Sequence, residues 1–201
     1  MTLTSTGVPP QHAVDISEHF NNIAVTSADQ SGSGQFNVWR NSFAREYLPD
    51  GDLVTIVVDA ITFRLCLNGS GAVAPDNIRC DGQLVEVPRG RYDWIHLVAA
   101  GERRVEDDLS LHFAEGTVDF EHVRVSDFWS APAVFGESVA LRTPVMHYPC
   151  HVQFGVDAVM WSQRVPVARR GELVAFRLPR NPALHVFAAT LQATHGEVAG
   201  R

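Results

Sequence analysis

Lysine is absent: all sixteen basic side chains among the 201 residues are arginines. The chain therefore cannot form a Schiff base on lysine, use lysine as a general base, or hold a phosphate with a Walker-type lysine. Long apolar runs are also missing, so nothing in the sequence suits a bilayer span. The opening MTLTSTGVPPQHAVD has neither the basic nor the apolar region of an export signal, so a cytoplasmic protein is expected. Cysteine is scarce: Cys66, Cys80 and Cys150 are scattered, with no CxxC pair. Three cannot build a disulfide framework, and they read as small buried apolar residues in a reducing compartment. Positive charge is outnumbered, sixteen to twenty-three, for a net charge of −7. That balance argues against nucleic acid or an anionic membrane as the main partner.

A sustained 3.6-residue period is lacking too; SEHFNNI near the start makes at most one helical turn. What is present is a cadence of turn signals every ten to fifteen residues: SGSG at 31–34, PDGD at 49–52, NGSG at 68–71, PRG at 88–90 and PRNP at 179–182. Between them lie short segments rich in Val, Ile, Leu, Phe and Thr, such as 53–65, 94–100, 172–178 and 183–191. This pattern predicts an all-β antiparallel two-sheet sandwich, with less than about a tenth of the chain helical. The segment WIHLVAA (94–100) is apolar almost throughout, as a central strand covered on both faces would be, with His96 at a sheet edge or hydrogen-bonded inside. The clearest hairpin joins DLSLHF (108–113) to TVDFEHV (117–123). Leu109, Leu111 and Phe113 should face inward, answered by Val118 and Phe120, with a bulge or strand end at His122-Val123. No internal repeat or linker is visible, which gives one domain over 14–192, with a flexible tail at 1–13 and another at 193–201.

Few residues carry an obvious chemistry. Met146-His147-Tyr148-Pro149-Cys150-His151 is the densest cluster, but H-x2-C-H is not an established zinc spacing, and adjacent Cys150 and His151 cannot easily point at one ion from a strand. No H-x-H pair of the metal-cupin kind and no G-x-S-x-G occurs. Glu106-Asp107-Asp108 reads as a solvated charge run. No protein-bound metal is expected from these residues. Several segments mix aromatic and polar residues, which is what a sugar wants: an aromatic platform for its C–H face beside donors and acceptors for its hydroxyls. Trp94 and Trp129 read as core anchors. Trp39, Arg40, Asn41, Tyr148, Trp161 and Gln163 are the candidate ligand-binding residues, lining one concave site.

The same segments carry a resemblance. VDISEHFNNIAVTS (14–27), GRYDWIHLVAAG (90–101), VSDFW (125–129) and LPRNPALHVFAATL (178–191) resemble, in this order, motifs of β-sandwich modules attached to bacterial, often actinobacterial, glycoside hydrolases. The resemblance implies a galactose-binding-like jelly roll of the carbohydrate-binding-module kind. It also implies a structural calcium near the first loop, for which Asn22 and Asp29 could supply oxygens. The loop 32–43 departs from the glycine-rich loop of such modules. The expected function is non-catalytic binding of a saccharide or glycoside, alone or as the accessory subunit of a catalytic partner. The alternative is a small metal-independent enzyme, a cyclase or isomerase of a sugar or secondary-metabolite pathway. With no lysine or serine elbow its chemistry would be general acid–base, using His147 and His151 with Asp93 or Asp157, since histidine titrates near neutral pH.

Overall fold

The structure, a computed structural model, describes residues 9–129 and 132–194. Most of both predicted tails (1–8 and 195–201) lies outside the described residues. Among the described residues fourteen strands follow in chain order. They are β1 Gln11–Val14, β2 Val25–Thr26, β3 Ser42–Ala44, β4 Leu53–Val58, β5 Ile61–Cys66, β6 Ile78–Arg79 and β7 Leu84–Gly90. The remainder are β8 Tyr92–Gly101, β9 Val105–Phe113, β10 Val118–Val125, β11 Ser138–Tyr148, β12 His151–Pro166, β13 Leu173–Arg177 and β14 Leu184–Ala193. The only helical turns among the described residues are short 3-10 segments, one of them at Ser17–His19 within SEHFNNI. The domain also starts earlier than expected, because β1 pairs with β14 from Gln11 onward.

The large sheet has the order β1-β14-β8-β12-β11-β3-β2, with β6 also paired to β14. Its one departure from antiparallel order is the β2–β3 pair at the edge. A four-stranded sheet, β10-β9-β13-β7, and a two-stranded ribbon, β4-β5, complete the fold. The large sheet is buried on both faces. Ile95, Leu97 and Ala99 of β8 join Leu109, Leu111, Phe113, Trp161 and Phe176 in one cluster against the four-stranded sheet. Val98 and Ala100, of opposite parity, join Phe43, Met146, Phe187 and the ribbon's Phe63 and Leu65 in the other. This is why WIHLVAA is apolar at nearly every position: β8 lies at the centre and each face meets a different core. His96 is buried, and its Nε2 lies 3.1 Å from Gln192 Oε1.

Two hairpin details differ from the sequence reading. The register of β9 with β10 runs unbroken from Val118↔His112 to Val125↔Val105, so no bulge interrupts it. The inward residues of β10 are Val123 and Val125, whereas Val118 and Phe120 point outward. As an edge strand of the small sheet, β10 leaves one face to solvent, and its two apolar parities compete for the core. The segment 53–65 is also not one strand. It folds back at Asp59-Ala60, both with positive φ (49° and 65°), a two-residue hairpin turn made without glycine or asparagine.

Candidate functional site

A cleft of roughly 450 Å³ opens where the turn after β8, the segment after β10, the end of β11 and the loop before β3 converge. The loop is built by local hydrogen bonds. Phe36 N donates to Asn41 O (3.1 Å), Arg40 N to Asn37 O (2.8 Å) and Trp39 N to Asn37 Oδ1 (3.1 Å). With Arg40 held at φ 55°, this turn pushes the Trp39 indole outward, leaving it 62% exposed on the cleft wall. Gly101 shapes the opposite wall from behind. It pairs with Asp127, accepts from Phe128 N (3.0 Å), and lies where a Cβ would come within 2.5 Å of Arg103 O. Only glycine permits that approach, which sets Glu102, Arg103, Asp127 and Trp129 side by side.

The chemistry of the lining is mixed. Trp39, Phe128, Trp129 and Tyr148 are aromatic; Asn37, Asn41, Glu102, Arg103 and Asp127 are polar. Asn41 is 1% exposed, and its Oδ1 is buried with no hydrogen-bond partner among the described residues. A buried acceptor left unpaired costs about 1–3 kcal/mol, which a ligand donor would recover. The Arg103 guanidinium also has no partner among the described residues. Asp127 spends Oδ1 on Trp129 N (2.9 Å). A second cavity of similar volume lies beside Asp15, Asp52, Arg64 and Cys66, but both its carboxylates are tied to Ser17 or Ser70, which hold them below the usual carboxylate range. The cleft, with its orphaned acceptor, is the better candidate.

Behind Glu102 runs a buried polar chain. Glu102 N donates to Ala183 O (2.7 Å), which places its carboxylate beside His185 of β14, with Oε1 3.4 Å from Nε2. His185 Nδ1 lies 2.9 Å from Asn77 Oδ1. Asn77 Nδ2 donates to Asp76 Oδ1 (2.8 Å) and to Asn22 O (3.0 Å). Asp76 also accepts from Ala24 N, Val25 N and Asn68 Nδ2. Burial pushes the Asp76 carboxyl up to about 7, against the pull of these N–H donors. Burial also draws His185 below its ordinary value, against the favourable charge of Glu102. Phe36 packs over the His185 ring at 4.2 Å between centroids.

Of the residues singled out from sequence, Trp39, Asn41 and Tyr148 line this cleft. Trp161 does not: it is 1% exposed in the sandwich core, where its strand faces the small sheet, and its Nε1 donates to Asp127 O (3.1 Å). Arg40 turns away to donate to Gly32 O (2.6 Å). Gln163 donates to Arg124 O (2.7 Å) and lines a separate polar pocket with His96. The four acid–base candidates are not brought together there. His147 is not on a surface loop but buried near the end of β11, between Thr26 Oγ1 (3.2 Å) and Glu46 Oε2 (3.5 Å). His151 is exposed and stacks on Tyr148 at 4.7 Å. Asp93 accepts from Thr194 Oγ1 (3.0 Å), and Asp157 pairs with Arg142 (3.0 Å). Cys150 is exposed in the β11–β12 turn, and Cys66 is half-buried; only Cys80 is fully buried.

Asn22 and Asp29, the oxygen donors put forward for a calcium ion, are both hydrogen-bonded within the chain. Asn22 Oδ1 accepts from Asn77 Nδ2 (3.1 Å), its Nδ2 donates to Gln35 O, and Asp29 accepts from Ser27 Oγ. No group of three or more His, Cys, Asp or Glu suited to a metal occurs among the described residues. No helix there is long and apolar enough to cross a membrane. Trp129, expected in the core, is half-buried: it packs against the core around Phe43 and Phe128 and also lines the cleft, and sequence reasoning passed over Glu102, Arg103 and His185. The one available signal was a histidine inside the apolar run ALHVFAATL, which a buried strand tolerates only with a partner.

No curated protein matches the chain. Residues 10–195, which include every strand described above, match the AziU2-like beta-sandwich domain, and the chain belongs to that family of all-β domains.

Proposed function

We propose that this chain is a saccharide- or glycoside-binding protein of the galactose-binding-like jelly-roll type. It works in the cytoplasm, alone or as the accessory subunit of a glycan-active enzyme. The observation that carries this reading is the pairing of an outward-turned Trp39 with the unpartnered Asn41 Oδ1 in one concave wall. A sugar ring stacks its C–H face on an indole and places a hydroxyl donor on a waiting carbonyl oxygen. Arg103 and Asp127 stand by for further hydroxyls. Stacking plus a few hydrogen bonds gives weak binding, in the micromolar to millimolar range, or about 4–8 kcal/mol. The test is a broad glycan screen followed by calorimetry on the hits. Trp39→Ala should weaken binding by about tenfold or more, while the circular dichroism spectrum stays unchanged. A blank screen, or equal affinity of the variant, overturns the proposal.

A second reading, a metal-independent acid–base enzyme such as a cyclase or isomerase, is favoured by a different observation: Glu102 stands in the same cleft wall against a fully buried histidine.

A further inference from the structure

The hydrogen bonds around Asn77 fix the position of a proton two residues away in the network. Asn77 Nδ2 has three acceptors around it, Asp76 Oδ1, Asn22 O and Asn22 Oδ1, at 2.8, 3.0 and 3.1 Å. The Asn22 carbonyl can only accept, so the amide nitrogen belongs on that side and Asn77 Oδ1 faces His185. An amide oxygen also only accepts, so His185 Nδ1 carries a hydrogen in every charge state. Its other nitrogen, Nε2, faces Glu102 Oε1 at 3.4 Å. A bare Nε2 lone pair against a bare carboxylate would set two acceptors face to face in a site where His185 has no exposed surface. A hydrogen on either atom turns this contact into a hydrogen bond.

We infer that Glu102 is the proton-transfer group of the cleft and that His185, through this contact, positions it toward a ligand stacked on Trp39. The ligand-facing half of this inference rests on the cleft reading above. The class of reaction is metal-independent proton abstraction and return on a small hydroxylated molecule. The proton leaves a C–H or O–H of the ligand for a Glu102 oxygen, and the bonding pair stays behind on carbon or oxygen. Three charged groups face the pair from neighbouring elements. Arg79 Nη2 lies 3.9 Å from Glu102 Oε1 and favours the carboxylate; Arg103 and Asp127 line the same cleft with opposite charge. Asp76 acts on the pair only through Asn77. The acid–base group thus differs from His147, which is enclosed by Thr26 and Glu46.

The probe is 5-nitrobenzisoxazole, a flat aromatic that suits a tryptophan-walled cleft and reports on any competent base. Glu102 takes the proton on the ring carbon, that C–H pair forms the nitrile, and the N–O bond breaks with its pair on oxygen to give a coloured phenolate. No co-reactant is needed. Wild type should turn the probe over, Glu102→Gln should lose about 10²-fold or more in kcat/KM, and Trp39→Ala should raise KM more than it lowers kcat. His185→Gln should change how the rate depends on pH. Because His185→Gln removes a fully buried ring, nuclear magnetic resonance of the wild type provides an independent check. The nitrogen shifts of His185 should show Nδ1 protonated throughout. An unprotonated Nδ1, or equal rates for wild type and Glu102→Gln, overturn the inference. Glycan binding alongside equal rates removes the proton-transfer role alone. Probe turnover alongside a blank glycan screen removes the saccharide reading and leaves the pair in place.

Discussion

The two faces of the large sheet are built by different means. On one face the four-stranded sheet lies against it, and the contact is made by regular alternation: Leu109, Leu111 and Phe113 from β9 meet Ile95, Leu97 and Trp161. On the other, a short ribbon and irregular segments cover the sheet, and side chains do the work that ladders do elsewhere. Asp76 alone holds the backbone N–H groups of Ala24 and Val25 and the amides of Asn68 and Asn77. The cleft opens on this irregular part of the molecule. Loops held by specific side chains can present an exposed indole and an unpaired amide oxygen, whereas a closed ladder offers neither. The contrast separates a half that provides stability from a half that spends some of it on a site.

The largest expected effect tests the first half. Trp161→Ala should destabilise the fold by about 3–5 kcal/mol, because it empties a large fully buried volume between the two sheets. Urea unfolding should show the midpoint lowered with the slope unchanged. A loss under about 1 kcal/mol would mean that Trp161 is a surface residue after all and that the division between the faces is misdrawn.

Much of this division could be read from residues 94–100, where apolar side chains of both parities announced a strand between two cores, and from Leu109 and Leu111. Three kinds of feature could not be read. Parity alone did not say which face of β10 is wet, since Val118 and Phe120 alternate as cleanly as Val123 and Val125 do. Burial of a tryptophan depends on what crosses it, so Trp39 and Trp161 sit in similar polar settings in the sequence and at opposite extremes in the fold. The polar chain joins residues 83 and 108 positions apart, Glu102 to His185 and Asn77 to His185, and no local pattern encodes such a meeting. Tyr148 and Asn41 were found because aromatic and amide groups near a loop carry their chemistry with them.

A smaller effect belongs to the polar half. The Asp76 carboxyl is raised to about 7 in the folded state, above its value in an unfolded chain. Its contribution to stability is therefore fully present below the unfolded value and is lost as pH rises through about 7. His185 is lowered, so its contribution is present above its unfolded value and is lost as pH falls below it. Between pH 8 and about 6.5 the Asp76 contribution governs, and unfolding free energy should increase on acidification by on the order of 1 kcal/mol, given 1.36 kcal/mol per unit for a full titration. Denaturant melts across that window should show this limb, and Asp76→Asn should flatten it. A limb of equal slope in the variant would assign the titration to another group.

The smallest effect is the sharpest test of the regular half. Phe120 is 69% exposed on the outer face of β10, opposite Ser110, although its alternation with Val118 suggested that it faces the core. Removing it empties no interior volume and orphans no polar group. The mechanisms that make substitutions costly are therefore absent, and Phe120→Ser should change stability by no more than about 0.5 kcal/mol. Val123→Ala, three residues along the same strand but facing inward, loses buried methyl groups and should cost more, on the order of 1–2 kcal/mol from the transfer of two buried carbons. The pair of variants measures the direction of one strand's pleat in solution. If Phe120→Ser proves the costlier of the two, β10 is turned over by one residue, Val118 and Phe120 belong to the sandwich core, and the regular face is no more readable from its alternation than the irregular one.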